Sequence, residues 1–323
     1  MPKRIHPKPV SLAEIFIKFS TDDQCLDYIQ NMRWPDGVVR CPVCGNEKIT
    51  KVERSATSKN RRKWFYLCGE KTCRQQFSPT SGTLFADSHL PLLTWFNAIG
   101  LMLNAKKGIS AKQLQRDLGI GGYKTAWYLN HRIREAMGSG DIPKLGGIVE
   151  IDETYVGGKI SGKGISYAKK QKQVVMGAIE RGGELRLQHV TGATVGNFRE
   201  FILEHVSKDV KRVMTDQHPA YPAALASFDS THETVNHIRH EYVRGDVTTN
   251  TIESVFSLFK RGVIGQYHKL SAKHLQRYLT EFEYRFNRRN DDDVFIETVR
   301  RLCGLKPLRF TDLTSDPEPS VPF

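Results

Sequence analysis

Three acidic side chains stand out by what surrounds them. Asp152 closes Gly147-Ile148-Val149-Glu150-Ile151-Asp152, and Asp216 closes Arg212-Val213-Met214-Thr215-Asp216. Glu253 stands in Asn250-Thr251-Ile252-Glu253-Ser254, seven residues before Lys260. Each aspartate ends a short apolar run that reads as a buried strand, while the glutamate opens a segment of helical periodicity. Acids so far apart in the chain meet only through tertiary structure, and once gathered they repel unless a cation holds them. Two hard divalent ions, Mg2+ or Mn2+, bound by carboxylate oxygen would do so, which is the two-metal device for phosphoryl transfer on nucleic acid. Seven residues are two helical turns, so Glu253 and Lys260 face one side and put a metal-binding carboxylate and a phosphate-binding cation in one cleft. Asn250, three residues before Glu253, could share that face. Strand alternation directs Glu153, the neighbour of Asp152, to the opposite face. His218 follows Asp216 at the start of an expected helix.

Four of the six cysteines are gathered as Cys41-Pro42-Val43-Cys44-Gly45 and Cys68 with Cys73. Two residues between Cys41 and Cys44 let both thiolates point at one ion, and a second pair completes a tetrahedral, closed, structural Zn2+ site. The intervening residues, including Trp64-Phe65-Tyr66-Leu67, read as strands of a zinc ribbon. Buried free thiols and a redox pair are the competing readings. No thioredoxin-like pattern surrounds the motif, and no secretory leader is evident to favour disulfides. Cys25 and Cys303 read as core residues.

The elements that must position these groups follow from periodicity. Residues 11–31 show helical spacing, with Ser20 or Thr21 as a cap. Pro91 suits a first helical turn, and Leu92, Leu93, Trp95, Phe96, Ile99 and Met102 form its apolar face. A short helix after Ser110 ends near Gly119. A second starts near Lys124, with Trp127, Ile133 and Met137 inward and Arg132 and Arg134 outward. This is the helix-turn-helix pattern of DNA-binding modules, which an ordinary helical hairpin also satisfies. Gly138 to Gly147 reads as a linker. Strands are expected at 147–152, 173–179, 184–189, 211–215 and 232–243, and helices at 195–206 and near 218–226. A helical region from 250 toward 302 is expected to break at Gly262 to Gly265. The organisation read this way is a helix and zinc ribbon at 11–85, a helix-turn-helix module at 86–140, a catalytic α/β domain at 146–302 and a tail at 303–323. That tail is Pro-, Ser- and Asp-rich from Thr311 and is expected to be loose.

Lys plus Arg exceed Asp plus Glu by 13, which favours a polyanionic partner. Basic clusters at Lys59 to Lys63 and at Arg285 to Arg289 point the same way. No apolar run reaches eighteen residues, so no membrane span is expected.

These residues, taken in order, resemble bacterial insertion-sequence DDE transposases of the branch with an N-terminal zinc ribbon. The likeness runs from about Thr21 to Arg289. Its pieces are Arg33-Trp34-Pro35-Asp36-Gly37, Phe77-Ser78-Pro79-Thr80-Ser81-Gly82-Thr83, Lys124-Thr125-Ala126-Trp127 with His131-Arg132-Ile133-Arg134, Asp152-Glu153-Thr154-Tyr155-Val156-Gly157-Gly158, Asn250-Thr251-Ile252-Glu253-Ser254, and Tyr267-His268-Lys269-Leu270-Ser271 with Tyr284-Arg285-Phe286-Asn287. The resemblance implies a ribonuclease-H-like mixed sheet with flanking helices, preceded by the zinc ribbon and the helix-turn-helix module. It places the catalytic triad on Asp152, Asp216 and Glu253 and makes Lys260 their basic partner. In this branch the third position varies, leaving Asn250 as the alternative to Glu253. Asn250 otherwise reads as a helix N-cap. The implied activity is metal-dependent cleavage and joining of double-stranded DNA at terminal inverted repeats and target sites. It would be carried out by at least a dimer on paired ends, in the cytoplasm on the nucleoid. A DNA-binding regulator without catalysis, or a nuclease of the ribonuclease H type, are the rival functions.

Overall fold

The computed structural model describes residues 11–315, apart from 56, 58–61, 63, 141, 158–171, 237–240, 242 and 269. Most of the Lys59 to Lys63 cluster, Gly158 and Lys269 lie outside the described residues. The chain divides into two compact units.

The first unit takes residues up to Asn104, then Ala111–Met137 and Asp291–Ser315. Helices α1 (Leu12–Lys18) and α2 (Asp22–Arg33) lead into a small antiparallel sheet of β1 (Ile49–Glu53), β2 (Trp64–Cys68) and β3 (Gln76–Phe77), in the order β1-β2-β3. Thr21 caps α2, with Gln24 reaching back to complete a capping box. Arg33 at the end of α2 donates to the carbonyls of Pro79 (2.7 Å) and Ser81 (2.9 Å). Trp34 enters the ribbon core beside Tyr66 and Phe77. Helices α3 (Leu92–Asn104), α4 (Ala111–Asp117) and α5 (Tyr123–Met137) follow. Gly119, between α4 and α5, takes φ +61°, a turn conformation that glycine adopts without strain.

The second unit comprises Ala105–Ser110 and Gly138–Asn290 among the described residues. Its sheet contains β4 (Ile148–Val156), β5 (Gln173–Glu180), β6 (Leu185–Val190), β7 (Arg212–Asp216) and β8 (Thr231–Val235), ordered β6-β5-β4-β7-β8. β4, β5 and β6 form an antiparallel meander, and β7 and β8 run parallel to β4. A three-strand meander with two parallel strands added beside its first strand is the ribonuclease-H-like arrangement. Helices α6 (Val195–His205) and α7 (Ala220–Ala224) cover one face, over Val149, Ile151, Met176 and Ala178. On the other face α8 (Asn250–Gly262) and α9 (Ala272–Asn287) cover Val175, Ile179 and Leu187. β8 stops at Val235, short of the expected stretch to 243.

Instead of breaking at Gly262 to Gly265, the chain passes from α8 into a π-helical turn at Val263–Tyr267 and stops at His268, at φ +59°. Helices α10 (Val294–Gly304) and α11 (Phe310–Thr314) pack with the first unit. The tail is therefore ordered as far as Ser315, with Leu313 buried and Phe310 against Trp127 and Tyr128. Residues 316–323 of the expected loose tail lie outside the described residues.

Candidate active site and zinc centre

Parallel pairing sets Ile148 opposite Arg212, Val149 opposite Val213 and Glu150 opposite Met214. Continued two residues further, that register brings Asp152 level with Asp216, the last residue of β7. Asp216 Oδ1 accepts the His218 N–H at 2.9 Å, turning the chain out of the strand toward α7. Asp152 Oδ1 accepts the Glu153 N–H at 2.9 Å.

The carboxylate that joins these two is Glu153: one oxygen each from Asp152, Glu153 and Asp216 lie within 4.8 Å of one another. This corrects the expectation from strand alternation. The backbone does alternate, since Val149 and Ile151 occupy the core under α6 and α7, and Tyr221 of α7 donates its hydroxyl to Glu153 Oε2 at 3.0 Å. But β7 ends at Asp216, so β4 runs past it with no neighbour there, and the glutamate reaches around to the aspartates. The tandem Asp152-Glu153 was the signal in the sequence.

The cluster is half-buried and self-repelling. Burial first, then Glu153 and Asp216, with Glu253 adding, push the Asp152 carboxyl up to about 8. Burial and Asp216 raise Glu153 as well. Desolvated acids that raise each other's proton affinity form a site suited to a hard divalent cation.

Glu253 lies one helical turn into α8, half-buried and outside the three-acid group, with its Oε1 accepting from the Thr249 hydroxyl at 2.8 Å. Its charge nevertheless acts on Asp152. Lys260 is half-buried; burial lowers its basicity and the charge of Asp152 opposes that shift. Asn250 is exposed and does not cap the helix: Thr249 occupies the N-cap position, without a side-chain cap bond.

The free N–H groups at the start of α8 go instead to Glu150, a wholly buried carboxylate on β4. Its Oε2 accepts from the backbone of Thr251 (2.9 Å) and Ile252 (3.2 Å), and its Oε1 from the Thr251 hydroxyl (3.0 Å) and Arg181 Nε (3.0 Å). An anion at the positive end of a helix, paired with a guanidinium, has its charge satisfied. Gly177, paired with Asp152 across the sheet, completes the seat. A Cβ there would stand 2.7 Å from Phe256 Cζ and 2.8 Å from Ile252 Cδ1, so only glycine admits α8 this close. Neither Glu150 nor Gly177 was singled out from the sequence.

In the ribbon the Sγ atoms of Cys41, Cys44, Cys68 and Cys73 lie within 4.8 Å of one another, with Cys41–Cys73 at 3.8 Å and Cys44–Cys68 at 3.5 Å. Thiolates on a tetrahedral zinc at ~2.3 Å are about 3.8 Å apart, so the four sulfurs fit Zn2+. Cys25 is buried.

The helix pair α4–α5 departs from expectation at two residues. Arg132 and Arg134 are buried, each 2 % exposed, not outward. Arg132 stacks between Trp95 (4.8 Å) and Tyr128 (5.1 Å) and donates to the Ala86 carbonyl. α3, α4 and α10 enclose α5, leaving only Tyr123, Lys124 and Thr125 of its residues exposed.

Residues 20–76 match the transposase zinc-ribbon domain of the IS1595 group, and residues 144–287 match its ISXO2-like transposase domain. The chain thus carries two segments similar to the two domains of the IS1595 group of insertion-sequence transposases, the zinc ribbon and the DDE domain. A protein of Halobacterium salinarum, described as an uncharacterized protein in transposable element ISH50, is 29% identical over 282 residues, covering 83% of this chain and 91% of its own length. Among solved structures, the Mos1 strand transfer complex (12% identity, 65% of this chain and 75% of that one, TM-score 0.27) and a simian T-cell lymphotropic virus intasome (13%, 62% and 68%, TM-score 0.23) are similar too distantly to bear on function. Among the described residues no helix is long and apolar enough to cross a membrane.

Proposed function

We propose that this chain is a DNA transposase that binds the terminal inverted repeats of an insertion sequence and carries out metal-dependent strand cleavage and strand transfer. The observation that carries the reading is the meeting of Asp152 and Glu153, midway along β4, with Asp216 at the end of β7, and the charge of Glu253 reaching Asp152. Asp152 and Asp216 would hold Mg2+ or Mn2+, Glu153 and Glu253 would offer further carboxylate oxygens, and the ions would supply activation of a water or DNA 3′-OH and stabilisation of the leaving oxygen. Lys260 holds a phosphate beside the scissile bond. Glu150 and Gly177 keep α8, and with it Glu253 and Lys260, against the sheet. The Cys41, Cys44, Cys68 and Cys73 zinc keeps the ribbon folded for DNA contact. Double-stranded DNA is the partner, on the nucleoid in the cytoplasm, and the pairing of two ends calls for at least two copies of the chain.

The test is cleavage of duplexes carrying the inverted repeats that flank the gene, with Mg2+ or Mn2+. Metal-dependent nicking at the repeat ends supports the reading. End binding without nicking favours a DNA-binding regulator, and preferential cutting of RNA–DNA hybrids favours a nuclease of the ribonuclease H type.

A further inference from the structure

One face of the first unit holds a concave, polar site that none of the assignments above uses. It is a cavity of about 610 Å³ whose wall includes Arg54, Arg62, Trp64, Gln76, Ser78 and Thr80. Arg54 follows the end of β1 and lays its guanidinium on the Phe65 ring at 4.7 Å, an arrangement that fixes a long side chain in one place. Its Nε is buried with no hydrogen-bond partner among the described residues. Arg62 donates from Nη1 to Ser78 Oγ and from Nη2 to Thr80 Oγ1, the latter at 2.7 Å. Burial lowers the basicity of Arg62; the charge of Arg54 pushes the same way, and Asp22 opposes it. Two guanidiniums therefore share one wall, and the charge of Arg54 bears on Arg62. The acid on that wall, Asp87, acts on Arg132. Lys51 stands 4.3 Å from the centre of the Trp64 ring, which lines the cavity.

Fixed, mutually repelling guanidiniums beside hydroxyls in a polar concavity are a receptor for a tetrahedral oxyanion. An aromatic ring at the edge and a Lys above it extend the site along a chain rather than closing it around a small ion. We propose that this groove binds the phosphodiester backbone of DNA, with Arg54 and Arg62 holding one phosphate. The proposal rests on the transposase reading above and gives the ribbon the part of the duplex it holds. Phosphate contacts set register and affinity without reading sequence.

The test uses the full-length, zinc-loaded protein and a fluorescent duplex of arbitrary sequence, with affinity measured across a range of salt. Arg54→Gln should weaken binding about 5- to 10-fold near ~0.1 M salt and flatten the slope of log K against log salt by about 1, one phosphate contact. Arg54→Lys, which keeps the charge but loses the stacked fork, should keep the wild-type salt slope and weaken binding less than Arg54→Gln does. Gln76→Glu sets a negative charge on the exposed wall and should weaken binding in the same way. Zinc content read on each variant shows that the ribbon is intact. Inorganic phosphate should compete only weakly, since a single anion lacks the extended contacts. Unchanged affinity and slope in both Arg54→Gln and Gln76→Glu, with wild-type binding intact, would overturn the groove and leave the transposase reading standing. Full displacement of DNA by inorganic phosphate at its own low concentration would make the site one for a free anion and overturn the DNA assignment. A wild-type chain that binds no DNA would sink both together.

Discussion

Asp152 carries a heavy electrostatic burden, set by burial and by three acidic neighbours. Held up to about 8 by burial and by its acidic neighbours, it keeps its proton in the folded, metal-free chain where an unfolded aspartate releases it near pH 4. The folded state therefore binds the extra proton between about pH 4 and about pH 8, and the metal-free protein loses stability as pH rises through that window. A divalent cation must displace that proton, so its binding should strengthen with pH. Thermal unfolding with and without Mg2+ or Mn2+ is expected to show a larger metal-induced rise in melting temperature near pH 8 than near pH 6, and Asp152→Asn should abolish the difference. Equal shifts at the two pH values would contradict the account. Glu153 and Glu253 then separate by measurement. Glu153→Gln removes a carboxylate from the three-acid group and should raise the metal concentration for half-maximal cleavage on the order of tenfold. Glu253→Gln should cripple cleavage, whereas Asn250→Ala, at an exposed position that caps nothing, should cost little in stability or activity. A folded Asn250→Ala that fails to cut beside an active Glu253→Gln would exchange their roles.

At the scale of elements, the seat of α8 decides whether Glu253 and Lys260 reach the aspartates. Glu150→Gln keeps the shape of the side chain but removes the charge that meets the Thr251 and Ile252 N–H groups and Arg181, and should cost about 2 kcal/mol. Gly177→Val drives a side chain into Phe256 and Ile252 and should cost roughly 1–3 kcal/mol. In both variants denaturant unfolding measures the stability loss, and cleavage should fall further than the folded fraction does. Activity that tracks the folded fraction alone would reduce these residues to packing. The ribbon is tested by Cys44→Ser, which should lose the zinc by metal analysis while the second unit keeps its melting transition. The strands that carry the aspartates were legible because an apolar run leads into each acid, a pattern that survives without tertiary information, although β4 continues past Asp152 to Val156. What was not legible depends on neighbours. Glu150 looks like an interruption in an apolar run until a helix N-terminus stands over it. Arg132 and Arg134 look like solvent-facing cations until α3, α4 and α10 close around α5. The edge of β6 was equally hidden: the N–H groups of Leu185, Leu187 and His189 go to Asn287, Glu283 and Gln276 of α9, sealing a strand that would otherwise offer itself to another chain.

Across the whole chain, cations exceed acids by 13 even though the second unit gathers a cluster of acids, a balance that fits the proposed attraction and metal-dependent cutting of a polyanion. On the proposed reading the two units divide the labour: the first carries the zinc ribbon, the helix pair and the proposed groove, and the second carries the acids. Binding and chemistry should therefore come apart under mutation. The measurement that tests this most directly compares wild type with Asp152→Asn and Asp216→Asn on duplexes carrying the flanking inverted repeats, scoring end binding and metal-dependent nicking on the same preparations. The account predicts that both variants bind the ends within a few-fold of wild type and produce no nicked strand in Mg2+ or Mn2+. Wild-type nicking rates in either variant would contradict it.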